Sequence, residues 1–275
     1  MEHRPPVPCH KNIFPVILLN KPDGKRGRDR LQKYWHRRAI SLALLSIFFF
    51  LLLFASGCRQ NALTEEAVTA GAPWKGDKIL PVGNIQQLPE QPSGCEITST
   101  AMVLNYFGCG ISKTELAGYF PVGGMPRRSG GKMVGPDPWK VFAGSPTASG
   151  YGCFAPVVTL AVNRYASSAG WWLKAINLSG TKASGLIPFI DAGIPVIVWA
   201  TISMKEPYAG DGWFLEDTGE YFRWPAQEHC LVLIGYSGSD VVLSDPLDPQ
   251  GTVRCDFKLF ERRYRQLSCQ AVAVE

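Results

Sequence analysis

Apolar and polar positions repeat with several different periods along this chain, and the longest apolar run comes early. Ala39 to Gly57 (AISLALLSIFFFLLLFASG) carries no charge over 19 positions, long enough for a helix that crosses the core of a bilayer. From Ser93 to Gly108, residues Ile97, Ala101, Leu104 and Phe107 recur at steps of three and four, which predicts a helix with one apolar face. Ser93 and Glu96 have the spacing of a capping box at its start, and Gly108 falls at its stop. Ser112 and Glu115 repeat that spacing before a second helix, TELAGYF, which Pro121 closes. A helical pattern over 156–166, a strand in GWWLKAIN and a short helix over 181–192 ending at Gly193 follow. The β-branched run Ile194 to Ile202 reads as a buried strand. HCLVLIGY, the turn SGSD and VVLSDP read as a β-hairpin, and the chain ends on TVRCDFKLF, a basic helical turn ERRYRQ and a last strand CQAVAVE. Residues 121–156 and 203–227 show no clean period and read as long loops, the first of them lying over a cleft. Helices first and an antiparallel sheet afterwards define an α+β class.

Charge divides the 275 residues further. Residues 1–38 hold ten Lys and Arg against three Asp and Glu, a net of +7, while the whole chain is +5. The remainder is therefore −2, and nothing in it argues for nucleic acid as a partner. Arg37 and Arg38 directly precede the apolar run, which places residues 1–38 in the cytoplasm and the rest outside. Ala55-Ser56-Gly57-Cys58 looks like a bacterial lipobox, in which Cys58 would carry the lipid, and an uncleaved anchor is the alternative. The expected organisation is a basic cytoplasmic tail (1–38), a transmembrane or lipoprotein signal helix (39–57), a tether (58–78) and one domain (79–275) on the extracytoplasmic face of the cell membrane.

Candidate chemistry begins at Cys95. It sits in the first turn of the predicted helix, where free N–H groups and the helix dipole favour a thiolate. Only His3, His10, His36 and His229 occur, and the first three lie in the tail, so His229 alone is available outside. Asp245 ends the partner strand of the hairpin before Pro246. A two-residue turn at Gly238-Ser239 puts Asp245 opposite Val232, on the other face from His229. A three-residue loop, or a bulge with the same effect, puts Asp245 opposite Leu231 and on the same face as His229. A Cys-His-Asp triad requires the second register. Of eight cysteines, Cys9 falls in the tail and Cys58 at the anchor, and six lie in the exterior part: Cys95, Cys109, Cys153, Cys230, Cys255 and Cys269. Disulfides among them are permitted there, with no pairing deducible from spacing. The chain has no CxxC and no His-rich cluster, so no zinc or other metal site is implied, nor any organic cofactor. Trp139, Tyr151 and Trp213 in the long loops are candidates for substrate contact, with Arg127, Arg128 and Lys132 beside them.

Gln87-Leu88-Pro89-Glu90-Gln91-Pro92-Ser93-Gly94-Cys95-Glu96-Ile97-Thr98-Ser99 resembles the signature of bacterial papain-like cysteine peptidases related to the double-glycine leader peptidases. Gly108, SKTELA, Tyr151-Gly152, PVIVWATI, Gly235-Tyr236 and Asp245-Pro246 follow in the matching order, so the resemblance covers roughly residues 79–250. It implies a papain-like fold, Cys95 as nucleophile, His229 as base, Asp245 as orienting residue and Gln87 as the oxyanion-hole amide. The substrate would be a peptide or protein, hydrolysed through an acyl-thioester. Cys109, Cys153 and Cys230 are not part of the pattern. Two rivals stand beside hydrolysis: a transglutaminase-like acyltransferase, and a non-catalytic cell-surface binding domain in which Cys95 is buried or unreactive.

Overall fold

The structure is a computed structural model, and it describes residues 72–275. The basic tail, the apolar run 39–57 and Cys58 lie outside the described residues. Among the described residues no helix is long and apolar enough to cross a membrane. The described residues form one compact unit.

In chain order the elements are β1 (Lys78–Ile79), α1 (Cys95–Tyr106), α2 (Lys113–Leu116), β2 (Arg127–Ser129), β3 (Lys132–Gly135), β4 (Ala143–Gly144), β5 (Gly150–Gly152) and α3 (Ala155–Ala169). There follow β6 (Ala175–Asn177), α4 (Ile187–Asp191), β7 (Val196–Thr201), β8 (Tyr208–Leu215), β9 (Tyr221–Ala226) and β10 (Glu228–Ser237). The chain closes with β11 (Asp240–Ser244), β12 (Thr252–Asp256), α5 (Phe257–Gln266) and β13 (Ala271–Val274). The main sheet runs β12-β11-β10-β7-β13-β6 with every neighbour antiparallel, and β1 adds to β10 beyond the end of β7. This is the expected α+β architecture, with α1 packed on β10 and β7.

Helix α1 is more deeply placed than a one-sided stripe predicts. Every residue from Cys95 to Leu104 is buried. The buried hydroxyls are satisfied inside: Thr98 Oγ1 donates to Gly94 O, Thr100 Oγ1 to Glu96 O, and Ser99 Oγ to Cys230 O on β10. A buried hydroxyl left unpaired would cost about 1–3 kcal/mol, so these bonds let a polar helix sit in the core. Its start also differs from the capping box expected. Gly94 is the N-cap and no side chain caps it. Ser93 Oγ instead donates to Ala148 O. A Cβ on Gly94 would stand 2.7 Å from Gln91 Oε1, so the close approach of Gln91 leaves room for glycine alone. At α2 the capping reading holds, with Ser112 Oγ accepting from the Glu115 N–H at 3.1 Å.

The two long loops contain strands. Residues 203–227 fold as the β8–β9 hairpin, pairing Trp213 with Phe222 and Phe214 with Tyr221. Residues 121–156 supply the β2–β3 and β4–β5 pairs, and β3 joins β8 in parallel to make a second, four-stranded sheet. A bulge between Ala209 and Gly212 breaks the two-residue alternation on β8, which hides this strand from a search by period.

Candidate active site

The site is assembled where α1 meets the start of β10. The hairpin β10–β11 has the two-residue turn, with Ser237 opposite Asp240, and then a bulge at Ile234 that shifts the register by one. Val232 is therefore opposite Ser244, and Asp245 falls next in line, opposite Leu231. His229 Nε2 lies 2.7 Å from Asp245 Oδ1, with both residues buried. Oδ1 also accepts the Leu247 N–H at 2.8 Å. Burial works to raise the Asp245 carboxyl, but the hydrogen bond and charge of His229, with the Leu247 and Asp248 N–H groups, outweigh it and hold it below its ordinary value. An ionised carboxylate only accepts, so Nε2 carries the proton and Nδ1 is the free basic nitrogen of a neutral His229.

Cys95 is a free thiol on the first residue of α1, and the β10 residues that act on it are Glu228 and Cys230. Its Sγ donates to Glu96 Oε2 at 3.4 Å, and one carboxylate oxygen of Glu228 completes a group of atoms all within 4.8 Å of one another. Burial first, then the charges of Glu96, Glu228 and Cys230, push the thiol well above its ordinary value, and only the Cys230 N–H works the other way. The helix terminus was expected to favour a thiolate; in this conformation burial and two carboxylates outweigh it. Among the described residues the thiol's hydrogen-bond partner is Glu96, not His229.

Glu96 joins Cys95 to a loop. Its Oε1 accepts the Cys153 N–H at 2.6 Å. Gly152, at φ +132°, lies so close that any Cβ would run into Oε1. Burial pushes the Glu96 carboxyl up to about 7, against the pull of the Cys153 N–H, its own N–H and the Cys95 thiol. Glu228 is also raised well above its ordinary value, by burial and then by the charge of Glu96. Neither has an ion-pair partner among the described residues, and Glu228 Oε1 is buried without any hydrogen bond. Sequence reasoning saw Glu96 only as a capping residue and missed Glu228, which comes from a distant segment and bears no motif beyond standing before His229.

Gln87 is buried beside the same hairpin. Its N–H donates to Pro246 O at 2.8 Å, its Nε2 donates to Pro92 O at 2.9 Å, and its Oε1 has no partner. Lys113 clamps this segment, donating from Nζ to Gln86 O and to Gln87 O and pairing with Glu90 at 2.7 Å. The Lys113 carbonyl in turn accepts Gln91 Nε2.

The three aromatic candidates join one cluster. Trp213 is buried and donates Nε1 to Pro136 O, so it is a packing residue of the second sheet rather than an open substrate surface. Tyr151 packs on Trp213 and Trp224 at 4.8 and 5.5 Å, and its hydroxyl donates to Asp211, with burial and that bond raising it to about 12. Trp139 is the exposed member, 4.6 Å from Phe154 on the wall of a cavity shared with Phe222, Arg223 and Gln266. All six cysteines from Cys95 to Cys269 are free thiols.

A buried helix that presents cysteine at its N-terminus to an antiparallel sheet, with a His–Asp pair on the neighbouring hairpin, is the arrangement of papain-like cysteine peptidases. A sequence profile of the Peptidase_C39 like family matches residues 79–272, and the chain belongs to that family. It is 28% identical over 216 residues to the uncharacterized protein YvpB of Bacillus subtilis (strain 168), covering 77% of this chain and 82% of YvpB. A Bacillus anthracis protein described as a C39-like peptidase superposes with a TM-score of 0.61 at 29% identity, over 72% of this chain and 97% of that one. A double glycine motif protease of an AMS/PCAT transporter, solved with its leader peptide, gives 17% identity and a TM-score of 0.39 over 73% and 92% of the two chains.

Proposed function

We propose that this chain is a cysteine peptidase that hydrolyses peptide or amide bonds with Cys95 as nucleophile, His229 as general base and acid, and Asp245 as the residue that orients it. The observation that carries the reading is the 2.7 Å His229–Asp245 pair, which leaves Nδ1 free on the strand that faces Cys95. In the resting arrangement the thiol is neutral and points its hydrogen at Glu96. Reaction begins when it turns about Cα–Cβ and gives its proton to Nδ1 of His229. The thiolate attacks the substrate carbonyl carbon, and the oxyanion takes hydrogen bonds from the Cys95 N–H and from Gln87 Nε2 once that amide leaves Pro92 O. Imidazolium His229 protonates the leaving amine, and the acyl-thioester remains. His229 then activates a water that releases the acid and restores the thiol.

The same proposal holds the domain on the extracytoplasmic face of a membrane, by an apolar helix over 39–57 or a lipid on Cys58. The uncharged 19-residue run behind Arg37 and Arg38 supports this. Protease protection of the full chain in spheroplasts tests it: cleavage from outside is expected to leave residues 1–38 intact, and a fully protected chain rejects it.

The catalytic reading is tested by the pH dependence of Cys95 alkylation, followed by mass spectrometry in the wild type and in His229→Ala. Labelling that proceeds well below the ordinary thiol range near 8.5, and is slowed by the His change, supports the Cys–His pair. The binding-domain rival also has a buried, neutral thiol, and ordinary-thiol labelling unaffected by His229→Ala would select it.

A further inference from the structure

We propose that Cys95, Glu96 and Glu228 form a binding site for a thiophilic divalent cation of the zinc type, which holds the Cys95 sulfur as a metal thiolate and so blocks the nucleophile. The site is independent of the peptidase reading, since it needs only the three side chains. One ligand atom from each lies within 4.8 Å of the other two, and all three residues are buried. A tetrahedral zinc with one sulfur and one carboxylate ligand sets those two atoms about 3.6 Å apart, from bond lengths near 2.3 and 2.1 Å. Cys95 Sγ and Glu96 Oε2 already stand at 3.4 Å. Glu228 needs only a short inward shift, and its Oε1 is a buried acceptor with no partner among the described residues. That orphaned oxygen is the second observation, separate from the clustering, that points to a ligand.

Charge points the same way. Two carboxylates from different elements are buried side by side, and among the described residues no Lys or Arg is seen in an ion pair with either. A buried carboxylate pair is costly unless it shares a proton or meets a cation. Mixed sulfur and oxygen ligation suits zinc, whereas calcium and magnesium take oxygen alone. Binding would release the thiol proton and any proton held by the carboxyl pair to solvent, forming one metal–sulfur and two metal–oxygen bonds. Glu96 Oε1 keeps the Cys153 N–H, and the His229–Asp245 hydrogen bond is left intact. The fourth position is open to water.

The test uses the full chain and reads Cys95 alone. Iodoacetamide alkylation of the Cys95 peptide is followed by mass spectrometry across a zinc titration, with chelator reversal. Zinc is expected to slow labelling about tenfold or more, and Glu228→Gln to move the protecting concentration up by about tenfold, within the range typical for perturbed metal sites. His229→Ala is expected to leave it unchanged. Absence of protection overturns the site. So does protection that survives Glu228→Gln and disappears with His229→Ala, which would place zinc on the Cys–His pair instead. Cobalt(II) gives a second readout that needs neither alkylation nor turnover. A thiolate-to-cobalt charge-transfer band is expected in the wild type and, at reduced intensity, in Glu228→Asp, which keeps a carboxylate on a shorter side chain, and is lost in Cys95→Ser. An identical spectrum in wild type and Cys95→Ser overturns the proposal. Both readouts work on an inactive protein, so failure of the peptidase reading leaves this one standing or falling by itself.

Discussion

At the scale of single residues the site places two pairs of ionisable groups under opposite pressure. Asp245 is held below its ordinary value near 3.8. Its contribution to stability is therefore present above that range and lost as pH falls through the lowered value. Asp245→Asn is expected to flatten the acid side of a plot of melting temperature against pH. It should also reduce peptide hydrolysis by about 10²–10⁴-fold, because Asn need not enforce the tautomer with Nδ1 free. Glu96 and Glu228 have the reverse sign. The folded protein holds protons there that the unfolded chain releases from about pH 4.5, so stability falls as pH rises above 4.5, the Glu96 share up to about 7. With chelator present, Glu228→Gln is expected to raise stability at pH 8 by on the order of 1–3 kcal/mol, read from denaturant melts. A fall in stability at pH 8 would show that Glu228 has a partner in solution. Gly152→Ala tests the contact behind Glu96. Its Cβ meets Oε1 at a backbone φ of +132°, so a loss of about 2 kcal/mol or more is expected in the same melts. Cys95, His229, Asp245 and Gln87 were legible in sequence because their neighbours form local motifs. Glu228 was not, because its meeting with Cys95 is made by the packing of α1 on β10.

At the scale of elements, the hairpin β10–β11 shows what sequence leaves open. The turn residues Gly238-Ser239 fit a two-residue loop, and that alone puts Asp245 on the wrong face. The bulge at Ile234 restores the face, and no side-chain pattern marks it, since 230–236 is apolar throughout and offers no alternation to break. The strands of the second sheet were missed for a related reason, the bulged β8 and a short, Gly-rich β2–β3 pair. Helix α2 was legible, and its first residue has a use beyond the helix. Lys113 fixes the backbone of Gln86 and Gln87 and holds Gln91 through its own carbonyl. It is a positioning residue for the oxyanion amide in the proposed mechanism. Lys113→Met is expected to lower kcat about tenfold with KM little changed, because the amide acts on the transition state more than on bound substrate. Partial recovery in Lys113→Arg, and a KM that stays within about twofold, separate this role from general loosening of the fold.

At the scale of the whole molecule, the domain extends upstream of the boundary that patterning suggests. Residues 58–78 read as a tether because they are polar and carry no period, yet their last five residues are fastened to the domain. Trp74 stacks on Tyr236 at 4.9 Å, meets Phe257 edge-on at 5.2 Å and donates Nε1 to Gly238 O. Asp77 Oδ1 accepts the Gly238 N–H, and Lys78 pairs with Tyr236 to begin β1. A lone aromatic in a polar stretch has no periodic partners, so its docking is invisible until the β10–β11 turn is placed beside it. The consequence is mechanical: the segment joined to the N-terminal region grips the closed end of the hairpin whose other end carries His229 and Asp245. Trp74→Ala in the full chain is expected to cost about 1–2 kcal/mol of unfolding free energy, since the ring is half-buried and loses one stacked and one edge contact together with a hydrogen bond. Amide hydrogen exchange locates the loss. Faster exchange confined to 74–79 and the 236–240 turn is the expected result, while equal acceleration along β10 to Cys230 would mean that the grip supports the His229 end of the strand as well.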